Sequence, residues 1–142
     1  MKIVVDTNTV ISGYLWRGIP AQVLELHASG LVNICTCEAQ LLELTEVLHR
    51  PKFFRRLAAA GISPEEISAH FRQLKQLVEP AQVAATPLTD PKDVWVLGCA
   101  QAAEVQAIVS GDSHLLTLQA HQGIPIYRAA QFVPLFDSFK LP

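Results

Sequence analysis

The sequence predicts an α/β fold in which a parallel sheet carries helices on both faces. Short continuous apolar runs alternate with segments of helical periodicity along the chain, as expected of strands joined by helical crossovers. Two of those runs end in an aspartate: Lys2-Ile3-Val4-Val5 leads into Asp6, and Ala107-Ile108-Val109-Ser110-Gly111 into Asp112. Parallel strands all end at one edge of their sheet, so acids at strand ends and at adjoining helix starts converge in one crevice there. Glu43 and Asp93 lie on helical segments between the two strands. Acids gathered in this way call for a cation.

Residues 2–5 read as a buried strand, 7–16 as a helix, and 19–29 as a second helix stopped by Gly30. A strand is expected over 31–35 and a helix over 38–49, ending before Pro51, with a further helical region over 51–60. Gly61 separates this from a helix opened by Ser63-Pro64-Glu65-Glu66. Ser63 can cap it, Pro64 fits its first turn, and Glu66 completes a capping box. Its periodicity carries it to Val78. The apolar stretch 82–85 reads as an edge strand, and Asp90-Pro91-Lys92-Asp93 opens a helix reaching Glu104. A strand over 107–110, a short helix over 114–119, a strand over 124–127 and a helix over 129–136 complete the chain. No internal repeat or linker interrupts residues 1–142, which are expected to form a single domain.

At 142 residues and 50% hydrophobic, the chain can bury a substantial core. Eleven Lys and Arg against thirteen Asp and Glu give a net charge of -2, which excludes a globally basic nucleic-acid binder. Three cysteines, Cys35, Cys37 and Cys99, are too few for a disulfide framework, and a reducing compartment is expected. Cys35 and Cys37, two apart in a strand and with no further Cys or His close in sequence, read as small buried residues rather than a zinc site. The first residues fall short of the apolar core of a signal peptide, and no stretch approaches the roughly 18 apolar residues of a membrane span. A cytoplasmic protein is the expectation.

Each acid has a plain structural reading beside the chemical one. Asp6 and Asp112 suit the N-caps of the helices that follow them, and Asp93 suits a first turn, where it complements the helix dipole. Their recurrence at two strand ends favours a shared site. Glu43 has Ala39 and Val47 at its i±4 positions, which places it at the rim of the buried face formed by Leu41, Leu44 and Leu48. Glu46 instead has Arg50 four residues on and reads as half of a surface pair.

Several ordered motifs resemble the PIN-domain family. Asp6-Thr7-Asn8 follows a strand, and Ser12 stands in Val10-Ile11-Ser12-Gly13. Leu42-Glu43-Leu44-Thr45-Glu46-Val47-Leu48 precedes Arg50-Pro51-Lys52-Phe53. Asp90-Pro91-Lys92-Asp93 precedes an alanine-containing helix, and Ser110-Gly111-Asp112-Ser113-His114-Leu115-Leu116 comes last. Any one of these is weak, but together they occur in the family's order and spacing from Lys2 to Phe136. The resemblance implies a Rossmann-like three-layer α/β/α sandwich, PIN-like, with an acidic pocket for Mg²⁺ or Mn²⁺. It implies a metal-dependent endoribonuclease, and for many members a VapC-type toxin held inactive by an antitoxin partner, as well as a homodimer. The family's acidic positions fall on Asp6, Glu43, Asp93 and Asp112, and its supporting polar positions on Asn8, Ser12 and Ser110. Where many members carry a further acid, this chain has His114, leaving four acids rather than five. A second carboxylate-held metal is the feature this departure puts in question.

The chemistry agrees with the resemblance. Clustered carboxylates repel, and a hard divalent cation with oxygen ligands relieves that repulsion and offsets charge developing at a phosphate. On this reading Asp6, Asp93 and Asp112 hold the metal, and Glu43 orients or deprotonates the attacking water. Asn8, Ser12 and Ser110 fix the carboxylates by hydrogen bonds. Residues 50–75 carry six basic side chains, Arg50, Lys52, Arg55, Arg56, Arg72 and Lys75, against Glu65 and Glu66, a local net of +4. Arg50, Lys52, Arg55 and Arg56 are candidate RNA-backbone contacts, with Phe53 or Phe54 available to stack a base. The bland alternative is a solvated helix face.

Other readings fit less well. An aspartyl-nucleophile phosphatase would place an acid at position 8, where Asn8 stands, and needs a later lysine motif that is absent. A response-regulator receiver likewise needs a later lysine. A non-catalytic PIN-like scaffold that binds RNA or protein, or an RNA-processing nuclease without a toxin role, remains an alternative to the toxin. Trp16, Leu57 and Phe132 are candidate exposed apolar residues for a dimer interface.

Overall fold

The computed structural model describes residues 1–74, 76–83 and 90–139. Its central sheet begins with β1 (Lys2–Val5) and β2 (Asn33–Thr36), continues through β3 (Gln76–Leu77) and β4 (Ala107–Val109), and ends with β5 (Ala120–His121) and β6 (Ile124–Tyr127). The strands lie in the order β3-β2-β1-β4-β6-β5. All neighbours pair in parallel except β5, which forms an antiparallel hairpin with β6. From β1 the chain crosses to β2 on one side, and later returns to place β4 on the other. That reversal leaves a crevice beyond the carboxyl end of β1, the usual location of a ligand site in an open α/β sheet.

Helices α1 (Thr7–Leu15), α2 (Ile19–Ala28), α3 (Glu38–Leu48), α4 (Phe54–Ala60) and α5 (Pro64–Gln73) precede β3. They are followed by α6 (Pro91–Ala103), α7 (Ser113–Leu118) and the short α8 (Ala129–Phe132), which runs on as a 3₁₀ segment. Alternation along the strands separates two cores. Ile3, Val5, Ile34 and Val109 face helices α1 to α5 and Phe132, whereas Val4, Cys35, Ile108 and Ile126 face α6 and Leu115 of α7. The architecture is therefore the predicted α/β sandwich of three layers.

Local expectations are met where capping chemistry is explicit. Glu66 N donates to Ser63 Oγ at 3.1 Å and Ser63 N to Glu66 Oε1 at 3.3 Å, closing the capping box of α5. Gly61 ends α4 at φ 67, a left-handed conformation that glycine adopts without strain. Gly98 is required for a different reason. A Cβ there would come within 2.5 Å of the Ala81 carbonyl oxygen, and the close approach lets Ala81 N donate to the Gly98 carbonyl at 2.9 Å.

Several expectations need correction. The helix from Ser63 stops at Gln73, and Gln76–Leu77 is an edge strand beside β2, because extended pairing outcompetes a periodicity that merely persists. Gln82 and Val83 are not in a strand. The rest of that expected strand, residues 84 and 85, and Lys75 of the basic segment lie outside the described residues. The antiparallel β5 is too short to leave a pattern. Leu57 and Phe132 are buried in the larger core, 7% and 0% exposed, so neither is an exposed interface residue. Since α3 ends at Leu48, Arg50 lies beyond the helix that carries Glu46, and the two form no ion pair among the described residues. Cys35 and Cys37 are buried as expected, and the fold also brings Cys99 of α6 into the same buried cluster. Among the described residues no helix is long and apolar enough to cross a membrane.

Candidate active site

Four carboxylates meet at the carboxyl edge of the sheet. Asp6 follows β1, Asp112 stands three residues beyond β4, Asp93 sits in the first turn of α6, and Glu43 projects from α3. With Thr7, Asn8, Lys92 and Trp95 they line a slot of about 20 Å³. A single water needs roughly 10–15 Å³, so the slot admits a cation and little more.

Asp6 is the most firmly held of the four. It is buried, its Oδ1 accepts from Thr9 N at 2.9 Å as the N-cap of α1, and its Oδ2 accepts from Ser110 Oγ at 2.6 Å and from Gly111 N at 3.3 Å. The Ser110 hydroxyl in turn accepts from Asp112 N at 3.0 Å. Asp112 Oδ1 caps α7 by accepting from His114 N at 2.8 Å and Leu115 N at 3.3 Å. The capping roles read from the sequence are therefore met at Asp6 and Asp112, both of which also line the slot, and capping leaves lone pairs on each carboxylate free.

Asp93 is only 4% exposed. Burial raises its pKa above the ordinary carboxylate value, and the neighbouring charges of Asp112 and Asp90 raise it further. Glu43, half-buried, is also raised by burial, while hydrogen bonding from Trp95 and the charge of Lys92 pull it back. Trp95 Nε1 donates to Glu43 Oε2 at 3.1 Å. Among the described residues, Thr7 Oγ1 is buried without a partner in hydrogen-bonding geometry, though it lies near enough to Glu43 to favour its ionised form slightly.

These features fit a hard divalent cation. The donors are carboxylate oxygens, two of the acids are held in environments that disfavour their uncompensated charge, and the buried Thr7 hydroxyl at the slot has no partner among the described residues. Ligand atoms of Asp93, Asp112 and His114 lie within 4.8 Å of one another. His114 is largely exposed, with Nδ1 3.8 Å from Asp112 Oδ1, so the residue standing in for the fifth acid does reach the acid cluster.

The other expected residues divide. Asn8 lines both the slot and an adjoining groove, whereas Ser12 lines only the groove, and among the described residues neither side chain hydrogen-bonds to an acid, so of the three expected supports only Ser110 holds a carboxylate. Arg50, Lys52 and Arg55 are exposed. Arg56 is partly committed: its Nε donates to the Leu15 carbonyl at 2.6 Å and its guanidinium lies 5.2 Å from the Trp16 ring centroid. Arg72 forms a two-pronged bond with Glu38 at 2.7 and 2.9 Å. Phe53 is core, while Phe54 is 57% exposed.

Sequence reasoning missed Trp95 and Gln40. Gln40 is buried on α3, one turn before Glu43. Its Nε2 donates to the Val5 carbonyl at 2.6 Å, and its Oε1 accepts from the Thr36 hydroxyl. It supplies β1 with a donor where β2 ends, and so pins the start of α3 to the sheet edge. A polar residue on an otherwise apolar helix face was the available signal.

The chain is thus a mostly parallel three-layer α/β domain with an acid-lined slot at its switch point. The family model described as PIN domain matches residues 2–114, and the chain belongs to that family. PIN domains are typically metal-dependent nucleases, so membership points to nuclease-type function. No curated protein matches the chain.

Proposed function

We propose that this chain is a Mg²⁺- or Mn²⁺-dependent endoribonuclease, the VapC-type toxin of a toxin–antitoxin pair, acting in the cytoplasm as a homodimer under the control of a cognate antitoxin. The observation that carries the nuclease reading is the convergence of Asp6, Glu43, Asp93 and Asp112 on one cation-sized slot. Asp6, Asp93 and Asp112 would hold the cation, with His114 near enough to assist. When bound, the cation supplies Lewis acidity toward the scissile phosphodiester and its leaving oxygen.

The protein's own groups do the rest. Glu43, whose raised pKa brings it nearer the operating pH, accepts the proton of the attacking water. Trp95 orients its carboxylate. Ser110 holds Asp6 and the Asp112 backbone in register, and Asn8 flanks the mouth of the slot. Arg50, Lys52 and Arg55 attract the RNA backbone, with Arg56 contributing from its place beside Trp16. In-line attack at phosphorus leaves a 5′-phosphate and a 3′-hydroxyl.

The test is cleavage of labelled single-stranded and structured RNA with Mg²⁺, Mn²⁺ or EDTA, comparing wild type with Asp6→Asn and Asp93→Asn. Metal-dependent cutting lost in both variants is expected. A folded wild type that cuts no RNA with either metal would instead favour a non-catalytic scaffold. Co-purification of a partner encoded beside this chain, with inhibition on rebinding, tests the toxin assignment separately.

A further inference from the structure

Four of the five histidines are engaged within the fold. His27 Nδ1 accepts from Ile34 N at 3.1 Å, and His49, His70 and His121 hydrogen-bond to Glu65, Tyr14 and Gln101 at 2.7, 2.6 and 2.6 Å. His114 differs from them. Its side chain is 76% exposed, and its Nδ1 lies 3.8 Å from Asp112 Oδ1, too far for a hydrogen bond. Its backbone, by contrast, is fixed: His114 N donates to Asp112 Oδ1 at 2.8 Å, where Asp112 caps α7. Capping therefore holds the imidazole beside a carboxylate of the slot and leaves the ring free to turn.

One ring nitrogen of His114 and one carboxylate oxygen each from Asp93 and Asp112 lie within 4.8 Å of one another. Ligands about 2.1 Å from a common ion stand about 3–4 Å apart, so a small turn of the exposed ring completes that set. His114 does not line the slot itself, so it meets the two acids from the solvent side and closes the mouth. A second observation points to the same ion. The buried Thr7 hydroxyl, at the slot with Asp93 and Asp112, has no partner in hydrogen-bonding geometry among the described residues.

Ligand type decides which ion is held. Mg²⁺ takes oxygen donors, whereas imidazole suits first-row transition ions. An imidazole in place of a carboxylate also offers Mg²⁺ one negative charge fewer. We propose that His114 is a direct ligand, which makes this a mixed oxygen and nitrogen site selective for a divalent transition ion over Mg²⁺. Asp93, Asp112 and His114 share that ion, and affinity rises from Mn²⁺ to Co²⁺. The inference rests on the metal-dependent reading above and narrows its choice of ion.

The experiment measures Mg²⁺, Mn²⁺ and Co²⁺ binding to the full chain by calorimetry, at one pH and without RNA, for wild type, His114→Ala and His114→Asp. An aspartate suits the first turn of a helix, so His114→Asp should leave α7 intact. His114→Ala should weaken Mn²⁺ and Co²⁺ on the order of tenfold or more, and Mg²⁺ far less. His114→Asp should strengthen Mg²⁺ and reduce the ratio of Mn²⁺ to Mg²⁺ affinity below that of wild type. Mn²⁺-loaded wild type should also show nitrogen modulation of its electron spin echo, lost in His114→Ala. The other four histidines are engaged elsewhere, so that signal reports His114. Equal losses for all three ions in His114→Ala, a nitrogen signal that survives it, or unchanged affinities in a variant that melts like wild type overturn the ligand assignment. An equal Mn²⁺ to Mg²⁺ ratio in wild type and His114→Asp overturns the selectivity. Failure of wild type to bind any of the three ions overturns the metal-dependent reading as well, whereas binding indifferent to His114 overturns only this inference.

Discussion

Ser110 Oγ donates to Asp6 Oδ2 at 2.6 Å while accepting from Asp112 N at 3.0 Å, so one buried hydroxyl positions two of the acids. The contact spans 104 residues of sequence. It exists because β1 and β4 are neighbours in the sheet, with Val5 opposite Val109. The side chain beyond the end of one strand therefore meets the cap of the helix that follows the other.

Ser110→Ala removes that hydroxyl without adding bulk. Hydrogen-bond partners that orient metal-binding carboxylates typically contribute 10–100-fold in affinity, so Mn²⁺ affinity measured calorimetrically should fall by about that factor. Stability should fall by about 1–2 kcal/mol, because a buried carboxylate loses a donor. Unchanged Mn²⁺ affinity in a folded variant would remove Ser110 from the site.

Trp95→Phe tests the orientation of Glu43. The indole N–H favours the ionised carboxylate, opposing the effect of burial. Its removal should raise the Glu43 pKa further and move the acid limb of the kcat/KM profile to higher pH. Rates on the alkaline side of that limb should fall less. A profile that keeps its shape while falling uniformly would mean that Trp95 does not act through Glu43.

The acids at the strand ends were legible in the sequence because a carboxylate ending an apolar strand run has few places to go in a parallel sheet. Asp93 was legible from the Pro and Asp residues that open its helix, and Glu43 from its position at the rim of an apolar face. Gln40 and Trp95 were not, since both act across elements: Gln40 bonds to Val5 35 residues away, and Trp95 to Glu43 52 residues away. The early end of α5 was equally hidden. Gln76 and Leu77 become a strand only because Cys35 and Thr36 are there to pair with them.

The raised pKa of Asp93 carries a sign for stability. Folded protein holds the Asp93 proton more tightly than unfolded chain does, so between the ordinary carboxylate pKa and the raised one the folded state binds more protons. Stability in EDTA should therefore decline as pH rises through that window. Mg²⁺ or Mn²⁺ should counter the decline, since binding to the folded state alone stabilises it. Asp93→Asn should flatten the pH dependence, raise the melting temperature in EDTA, and lose most of the stabilisation by metal. A metal-induced shift as large in Asp93→Asn as in wild type would exclude Asp93 as a ligand.

Arg55 and Arg56 adjoin in sequence but should respond differently to charge reversal. Arg55 is exposed, so Arg55→Glu should weaken RNA binding and reduce the slope of log affinity against log salt, by roughly 0.7 for each single-strand phosphate that the side chain neutralises in the wild type. Its melting temperature should stay near that of wild type. Arg56 ties α4 to the end of α1 through the Leu15 carbonyl and the Trp16 ring. Arg56→Glu should therefore cost about 1–2 kcal/mol of stability as well as RNA affinity. Metal affinity should survive in both, because neither arginine lines the acid slot. Equal melting temperatures for the two variants would show that the Arg56 contacts do not stabilise the fold, and unchanged RNA affinity in both would remove this segment from the RNA-binding surface.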